Sequence, residues 1–247
     1  MRLTVLGGCG AWPEAGQACG GYLLEHDGYR LVIDPGYATL PRLLEHMPAA
    51  GVDAVLISHG HPDHCADLNP LLRARALADD PVPALPVHAL RGALDAVLAL
   101  DRPGMLADAI DLREIVPDSP LRAGPFSVVT TLLPHWLPNA GMRIEAGGSV
   151  LAYTGDSGPV QEIAELARGA GLLLAEATYP DRVPGDSVGY LSSARDAGRW
   201  AAAAGAGGLL LTHLWPGSDH AAAASFARES YAGPVDVASA DMVFEVG

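Results

Sequence analysis

Within six residues, His59-Gly60-His61-Pro62-Asp63-His64 offers three imidazoles and a carboxylate. Nitrogen and oxygen donors of this kind suit zinc, manganese or iron, and no thiolate is required. A compact loop aims alternate side chains, His59 and His61, at one ion and turns Asp63 and His64 toward a second point close by. Four residues cannot complete two coordination spheres, so a two-ion site needs ligands from further along the chain. Three stand at the ends of apolar runs: His135 after Phe126–Leu132, Asp156 after Ser149–Tyr153, and His213 after Leu209–Thr212. Alone, each reads as a surface or core histidine, or as a Gly-Asp-Ser turn. Beside the six-residue cluster they become the members that a two-metal count requires.

The surrounding elements must bring these residues to one edge. Short apolar runs with strand composition cover Arg2–Leu6, Gly21–Glu25, Arg30–Asp34 and Asp53–Ser58, so the histidine cluster begins where a strand ends. Pro41–Met47, Leu68–Leu77 and Arg91–Leu100 read as helices, with Pro86–Ala89 as a strand between the last two. Strands resume at Phe126–Leu132, Met142–Glu145 and Ser149–Tyr153. The remainder alternates: helix Pro159–Arg168, strand Leu172–Glu176, helix Ser192–Ala204, strand Leu209–Thr212, helix Ala221–Tyr231, then strands Val235–Ala238 and Met242–Val246. Strands in runs followed by alternation with helices fit an α/β arrangement of two sheets with helices outside. The length suits one domain over residues 1–247.

Composition narrows the function. Hydrophobic residues make up 49% and charged residues 18%, as in a well-buried globular chain. A net charge of −14 gives no basic footprint for nucleic acid. Three cysteines, Cys9, Cys19 and Cys65, make no disulfide framework. Neither a signal peptide nor an apolar run long enough for a bilayer is visible, so a cytoplasmic location is expected. Gly7-Gly8-Cys9-Gly10 follows a strand but lacks the spacing of a dinucleotide-binding loop. Cys65 reads as a buried filler, and His88 and His220 have no partners at ligand spacing.

The order HxHxDH, histidine, Gly-Asp, histidine resembles the metallo-β-lactamase superfamily over nearly the whole chain. The Leu-Val-Ile-Asp-Pro-Gly around Asp34 and the Leu-Ile-Ser-His entry to the cluster belong to the same likeness. His135–Ile144, Tyr153–Gly158 and Leu172–Thr178 are similar to the branch containing ribonuclease Z and its phosphodiesterase relatives. The resemblance implies a four-layer αββα sandwich with the site at one edge of the sheets. It implies that His59, His61 and His135 hold one metal, that Asp63, His64 and His213 hold a second, and that Asp156 bridges them. The ions expected are two divalent cations, Zn2+ first, with Mn2+ or Fe2+ as alternatives. Asp34, and secondarily Asp67, would orient ligand histidines from behind.

The chain departs from ribonuclease Z in two ways. That enzyme pairs the glutamate of its Glu-Ala-Thr motif with a later histidine, whereas here Glu176 is present and Tyr190 occupies the matching place. A long, basic, glycine-rich arm for gripping tRNA is also missing, so tRNA is not an expected partner. The expected activity is hydrolysis of a small phosphodiester, a cyclic nucleotide among the options, by a hydroxide held between the metals. Asp63 would orient that hydroxide and take its proton, and Glu176 or Tyr190 would assist the leaving group. A carboxyl-ester, thioester or lactone hydrolase is the alternative, and a non-catalytic metal-binding protein a third. Trp136, Tyr179 and Trp215 are the expected pocket walls. A small-molecule substrate and a second copy in a homodimer are the expected partners, with no membrane.

Overall fold

The computed structural model describes residues 1–247. The first strands are β1 (Arg2–Cys9), β2 (Ala18–Cys19), β3 (Gly21–His26), β4 (Tyr29–Ile33), β5 (Ala54–Leu56), β6 (Leu85–Ala89) and β7 (Ile110–Glu114). They are followed by β8 (Leu121–Ala123), β9 (Phe126–Leu133), β10 (Asn139–Ala146), β11 (Ser149–Tyr153), β12 (Leu172–Glu176), β13 (Leu209–Thr212) and β14 (Val235–Val237). The last strand, β15 (Val243–Glu245), returns to the first sheet, whose order is β15-β1-β3-β4-β5-β6-β7 with β2 beside β1. The second sheet runs β14-β13-β12-β11-β10-β9-β8. Both are mixed: β4 to β7 are parallel neighbours, as are β11 to β14, and hairpins extend each run.

The two-residue period of the strands decides which side chains enter which layer. Leu3, Val5, Tyr22, Leu24, Leu31, Ile33 and Leu56 meet Phe126, Met142, Ile144, Tyr153, Leu174 and Leu210 between the sheets. The intervening residues Leu6, Leu23, Val32, Val55 and Ile57 face outward beneath α1 (Thr39–His46), α3 (Leu68–Ala76) and α4 (Asp95–Leu98); α2 (Pro62–Cys65) stands between the first two of these in the chain. In the second sheet Leu173, Ala175, Leu209 and Leu211 pack against α6 (Ala194–Ala204) and α7 (His220–Arg228), while α5 (Glu162–Leu166) packs on Leu133. Strands buried on both faces read as continuous apolar runs, which is why Leu172–Glu176 and Leu209–Thr212 are so uniform. The alanines of α6 and α7 let those helices approach closely: a Cβ on Gly198 would lie 2.2 Å from the Ala227 carbonyl. The result is an αββα sandwich. No helix is long and apolar enough to cross a membrane.

Three expectations change. β7 was not expected: its Ile-Asp-Leu-Arg-Glu sequence sits at an open sheet edge, largely exposed, where charge hides the strand pattern. The helix expected over Arg91–Leu100 shrinks to α4, because Gly92 takes a left-handed φ of 77° in the turn before it. The helix expected over Pro159–Arg168 is confined to α5.

His88, on the strand next to the edge of the first sheet, is buried, and its Nε2 has no hydrogen-bond partner. Burial, reinforced by the Arg113 charge on the adjacent strand, lowers its pKa below the ordinary 6.5. A depressed histidine contributes stability that is full above pH 6.5 and is lost as pH falls toward its folded value, because the unfolded chain takes the proton more readily. Replacing His88→Leu should therefore flatten the loss of stability between pH 7.5 and pH 5. Urea titrations of chelator-treated protein at both pH values read this slope, and an unchanged slope contradicts the assignment.

Candidate metal centre

The carboxyl ends of β4, β5, β11, β12 and β13 open on one edge of the sandwich, and β9, antiparallel to β10, ends there too. Loops outside the carboxyl ends of parallel strands are where α/β sheets gather ligand groups. His59 follows β5. His61 has extended backbone (φ −68°, ψ 141°) as the N-cap of α2, Pro62 fills the first helical position, and Asp63 and His64 occupy the first turn. His135, Asp156 and His213 follow β9, β11 and β13.

The structure brings all seven sequence-predicted ligand residues together as two groups that share Asp156. One is His59, His61, His135 and Asp156; the other is Asp63, His64, Asp156 and His213, and within each the ligand atoms lie within 4.8 Å of one another. In the first group His61 Nδ1 is 3.0 Å from both His59 Nε2 and His135 Nε2, and Asp156 Oδ2 is 3.7 Å from each of those Nε2 atoms. In the second, His213 Nε2 lies 3.1 Å from Asp63 Oδ2 and 3.2 Å from Asp156 Oδ2, and His64 Nε2 lies 3.3 Å from Asp156 Oδ1. Tetrahedral ligands at zinc-like bond lengths stand roughly 3.3 Å apart, so these separations fit.

Two observations test whether a cation belongs there. His64 Nε2 and Asp156 Oδ1 are buried and have no hydrogen-bond partner, although Asp156 is only 2% exposed. Orphaned buried polar atoms are costly, and a cation between them removes that cost. Every other ring nitrogen that would point away from the ions, on four of the five histidines, has a partner that fixes the tautomer. His59 Nδ1 donates to Ser58 Oγ (3.0 Å), His64 Nδ1 to Asp34 Oδ2 (2.9 Å), His135 Nδ1 to the Tyr190 carbonyl (2.8 Å) and His213 Nδ1 to Thr178 Oγ1 (2.9 Å). These four bonds leave Nε2 free to ligate. The donor set suits divalent zinc, manganese or iron.

The metal-free electrostatics agree. Burial lowers the pKa of His59, His61 and His135, which keeps these imidazoles neutral with lone pairs available. Burial also works to lower His64 and His213, but the Asp156 carboxylate, with Asp63, outweighs it and raises both. Burial would raise Asp63, yet the His64 and His213 charges hold its carboxyl well below the usual range. Protonated histidines thus balance the two acids until a cation replaces those protons.

Asp34 lies behind the second group as a hub. Its carboxylate accepts from Ser58 N (2.7 Å), Ser58 Oγ (2.5 Å), Tyr153 Oη (2.8 Å) and His64 Nδ1. Asp34 itself has a left-handed φ of 47°, as does His213 at 59°, a backbone conformation held by surrounding structure at functional sites. Gly36 lets this loop rest on α2, since a Cβ there would stand 1.8 Å from the Asp63 carbonyl. Gly10 serves likewise beside His213, and the next amide, Ala11 N, donates to Asp63 Oδ2 at 2.8 Å. The last glycine of the early run, Gly10, thus belongs to this site, while Gly7 and Gly8 pack against Ala18 and Ala238.

Three residues depart from their expected placement, and a fourth, Cys65, is buried as expected. Glu176 does not reach the cleft: its carboxyl is 1% exposed and accepts from Ser157 N, Thr178 N and Thr178 Oγ1. Burial and then the Asp156 charge push it up to about 8. Through Thr178 it backs His213. Tyr190 is 41% exposed and touches the site through its carbonyl, while its ring stacks on Trp136 at 5.2 Å. Asp67 holds the amide of Leu40 at the start of α1 and orients no histidine. Cys65 is buried, its thiol pushed up to about 12 by burial, and it donates to the His61 carbonyl. Ser58, Tyr153 and Thr178 were missed in sequence; the only cue was their position at the site-facing ends of β5, β11 and β12.

Five of the seven, His61, Asp63, His135, Asp156 and His213, line a cleft of roughly 490 Å³ whose walls include Trp136, Tyr179 and Trp215, and His59 and His64 are buried. A sequence model of the beta-lactamase superfamily domain matches residues 29–214. The probable metallo-hydrolase YhfI of Bacillus subtilis (strain 168) is 33% identical over 256 residues, covering 99% of this chain and 100% of that protein. Its crystal structure superposes with a TM-score of 0.90 over 99% of each chain. A ribonuclease Z of Mycolicibacterium paratuberculosis is 31% identical over 268 residues, covering 96% of this chain and 95% of that protein. The human short-form tRNase Z, at 22% identity, shares the fold, with a TM-score of 0.78 over 100% of both chains. The chain belongs to the metallo-β-lactamase superfamily, a family of metal-dependent hydrolases.

Asp34→Asn and Thr178→Val should each weaken divalent-metal affinity by about 10–100-fold while leaving the circular-dichroism spectrum unchanged. Chelator competition reads the affinity, and wild-type values in both variants contradict the orienting role.

Proposed function

We propose that this member of the superfamily is a dinuclear phosphodiesterase acting on a small substrate, a cyclic nucleotide among the candidates. The observation that carries this reading is the pair of four-residue ligand groups joined through Asp156 at the floor of one cleft. Two divalent cations, when bound there, supply an acidified water and positive charge against the oxyanion that develops during ester cleavage.

The chain's own residues do the remainder. Asp63 is held by Ala11 N and borders the cleft, where its carboxylate is placed to accept a proton from the attacking water and pass it on. Tyr190 and Glu176 act by positioning, the first through its carbonyl on His135 and the second through Thr178 on His213. Leu191 and the aromatic walls restrict water around the bound ester. The cleft volume suits a small molecule. A net charge of −14 disfavours a polyanionic RNA. The 31% identity to a protein named ribonuclease Z favours phosphorus over carbonyl carbon as the centre attacked.

His61→Ala and Asp156→Ala should each lower bound metal below two ions per chain and reduce turnover to background, as read by elemental analysis and a substrate panel. With metal-loaded wild type, bis(p-nitrophenyl) phosphate and cyclic AMP should be cleaved, and a lactone and a thioester should not. Turnover confined to the carbonyl substrates would replace the phosphodiesterase reading with the ester-hydrolase one.

A further inference from the structure

The cleft has a charge pattern that the metal-ligand residues do not explain. Two aromatic clusters line it. Trp136 stacks on Tyr190 beside His135, and Tyr179 packs on Trp215, which meets Trp12 at 5.6 Å. Apart from metal-ligand residues, the one charged side chain in the lining is Asp186. Its carboxylate is exposed, takes part in no ion pair, and accepts only a 3.3 Å hydrogen bond from Ser187 Oγ. No lysine or arginine lines the cleft. The arginines nearest in sequence are turned to other work: Arg195 pairs with Asp181 and Glu229, Arg199 with Asp196, and together with Arg182 they line a separate hollow.

The Asp186 carboxylate lines a cleft that holds no lysine or arginine side chain to offset it, so a bound anion meets its repulsion, reduced by the solvent that reaches it. The scissile group of a substrate sits over the ligand residues, where cations answer its charge. A second anionic group on the same molecule finds no cation in the cleft and meets Asp186, and like charges brought together are unfavourable. We propose that Asp186 is a specificity determinant that restricts the cleft to substrates whose only negative charge is on the scissile group, excluding those with an additional phosphate or carboxylate. This rests on the reading of the cleft as a hydrolase site, but not on phosphorus being the atom attacked.

The test compares matched pairs on metal-loaded wild type, Asp186→Asn and Asp186→Lys. For phosphodiesters the pair is thymidine 5′-(p-nitrophenyl phosphate) with and without a 3′-phosphate. For carboxyl esters it is p-nitrophenyl acetate and p-nitrophenyl hemisuccinate. Calorimetric binding of thymidine 5′-monophosphate against thymidine 3′,5′-bisphosphate reads the same selectivity without turnover. In wild type the member with the extra charge should be disfavoured by about tenfold or more in kcat/KM and in Kd. Asp186→Asn should narrow that ratio, and Asp186→Lys should abolish or invert it. A gap seen with the carboxyl esters and in binding, without phosphodiester turnover, would sink the phosphodiesterase reading and leave this one standing. Equal treatment of the two members in wild type, a ratio unmoved by Asp186→Lys, or binding of neither thymidine nucleotide overturns it.

Discussion

Asp156 is the one carboxylate counted in both ligand groups, and the site depends on it. Its oxygens face His59, His135 and His213 on one side and His64 on the other, in a position almost closed to water. An isolated carboxylate there would be expensive, and its own sheet offers no arginine or lysine to answer it. Charge balance therefore has to come from histidines or from cations. The same shortage makes the cluster receptive, because a cation held by the second group would satisfy His64 Nε2 and Asp156 Oδ1 while answering the carboxylate charges.

Geometry for this balance comes from the ends of strands, not from a single loop. β5, β9, β11 and β13 each deliver one or more ligands at an end fixed by its neighbours in register, and β4 and β12 deliver the supports Asp34 and Glu176. Rigid strands with a locked outer ring of hydrogen bonds hold ligands more closely than mobile loops do. The left-handed residues at Asp34 and His213 show where the chain accepts local strain to turn a side chain inward.

Much of this was legible from letters. The histidine cluster, the three later ligands and Asp34 stand out because metal ligation demands residue types that an apolar core otherwise avoids. The buried strands were equally plain, since Leu172–Glu176 and Leu209–Thr212 are apolar on both faces. The supports were not. Ser58 and Thr178 are ordinary residues whose importance arises only when a ring nitrogen arrives from another strand. Tyr190 contributes a carbonyl, which no side-chain identity encodes. Glu176 looked like an acid at a cleft and proved to be sealed beneath Thr178. The edge strand β7 carries three charges in five residues and alternates too briefly to mark a strand, and even its Leu112 is exposed.

Tyr153 Oη on Asp34 and Tyr22 Oη with Thr212 Oγ1, at 2.6 Å, tie the first sheet to the second right under the cluster. The first of these bonds shares its anchor, Asp34, with His64, a member of the second ligand group. Anything that binds only the folded form shifts the folding equilibrium by mass action. Loss of the ion would therefore weaken the seam between the layers and open the chain to proteolysis sooner.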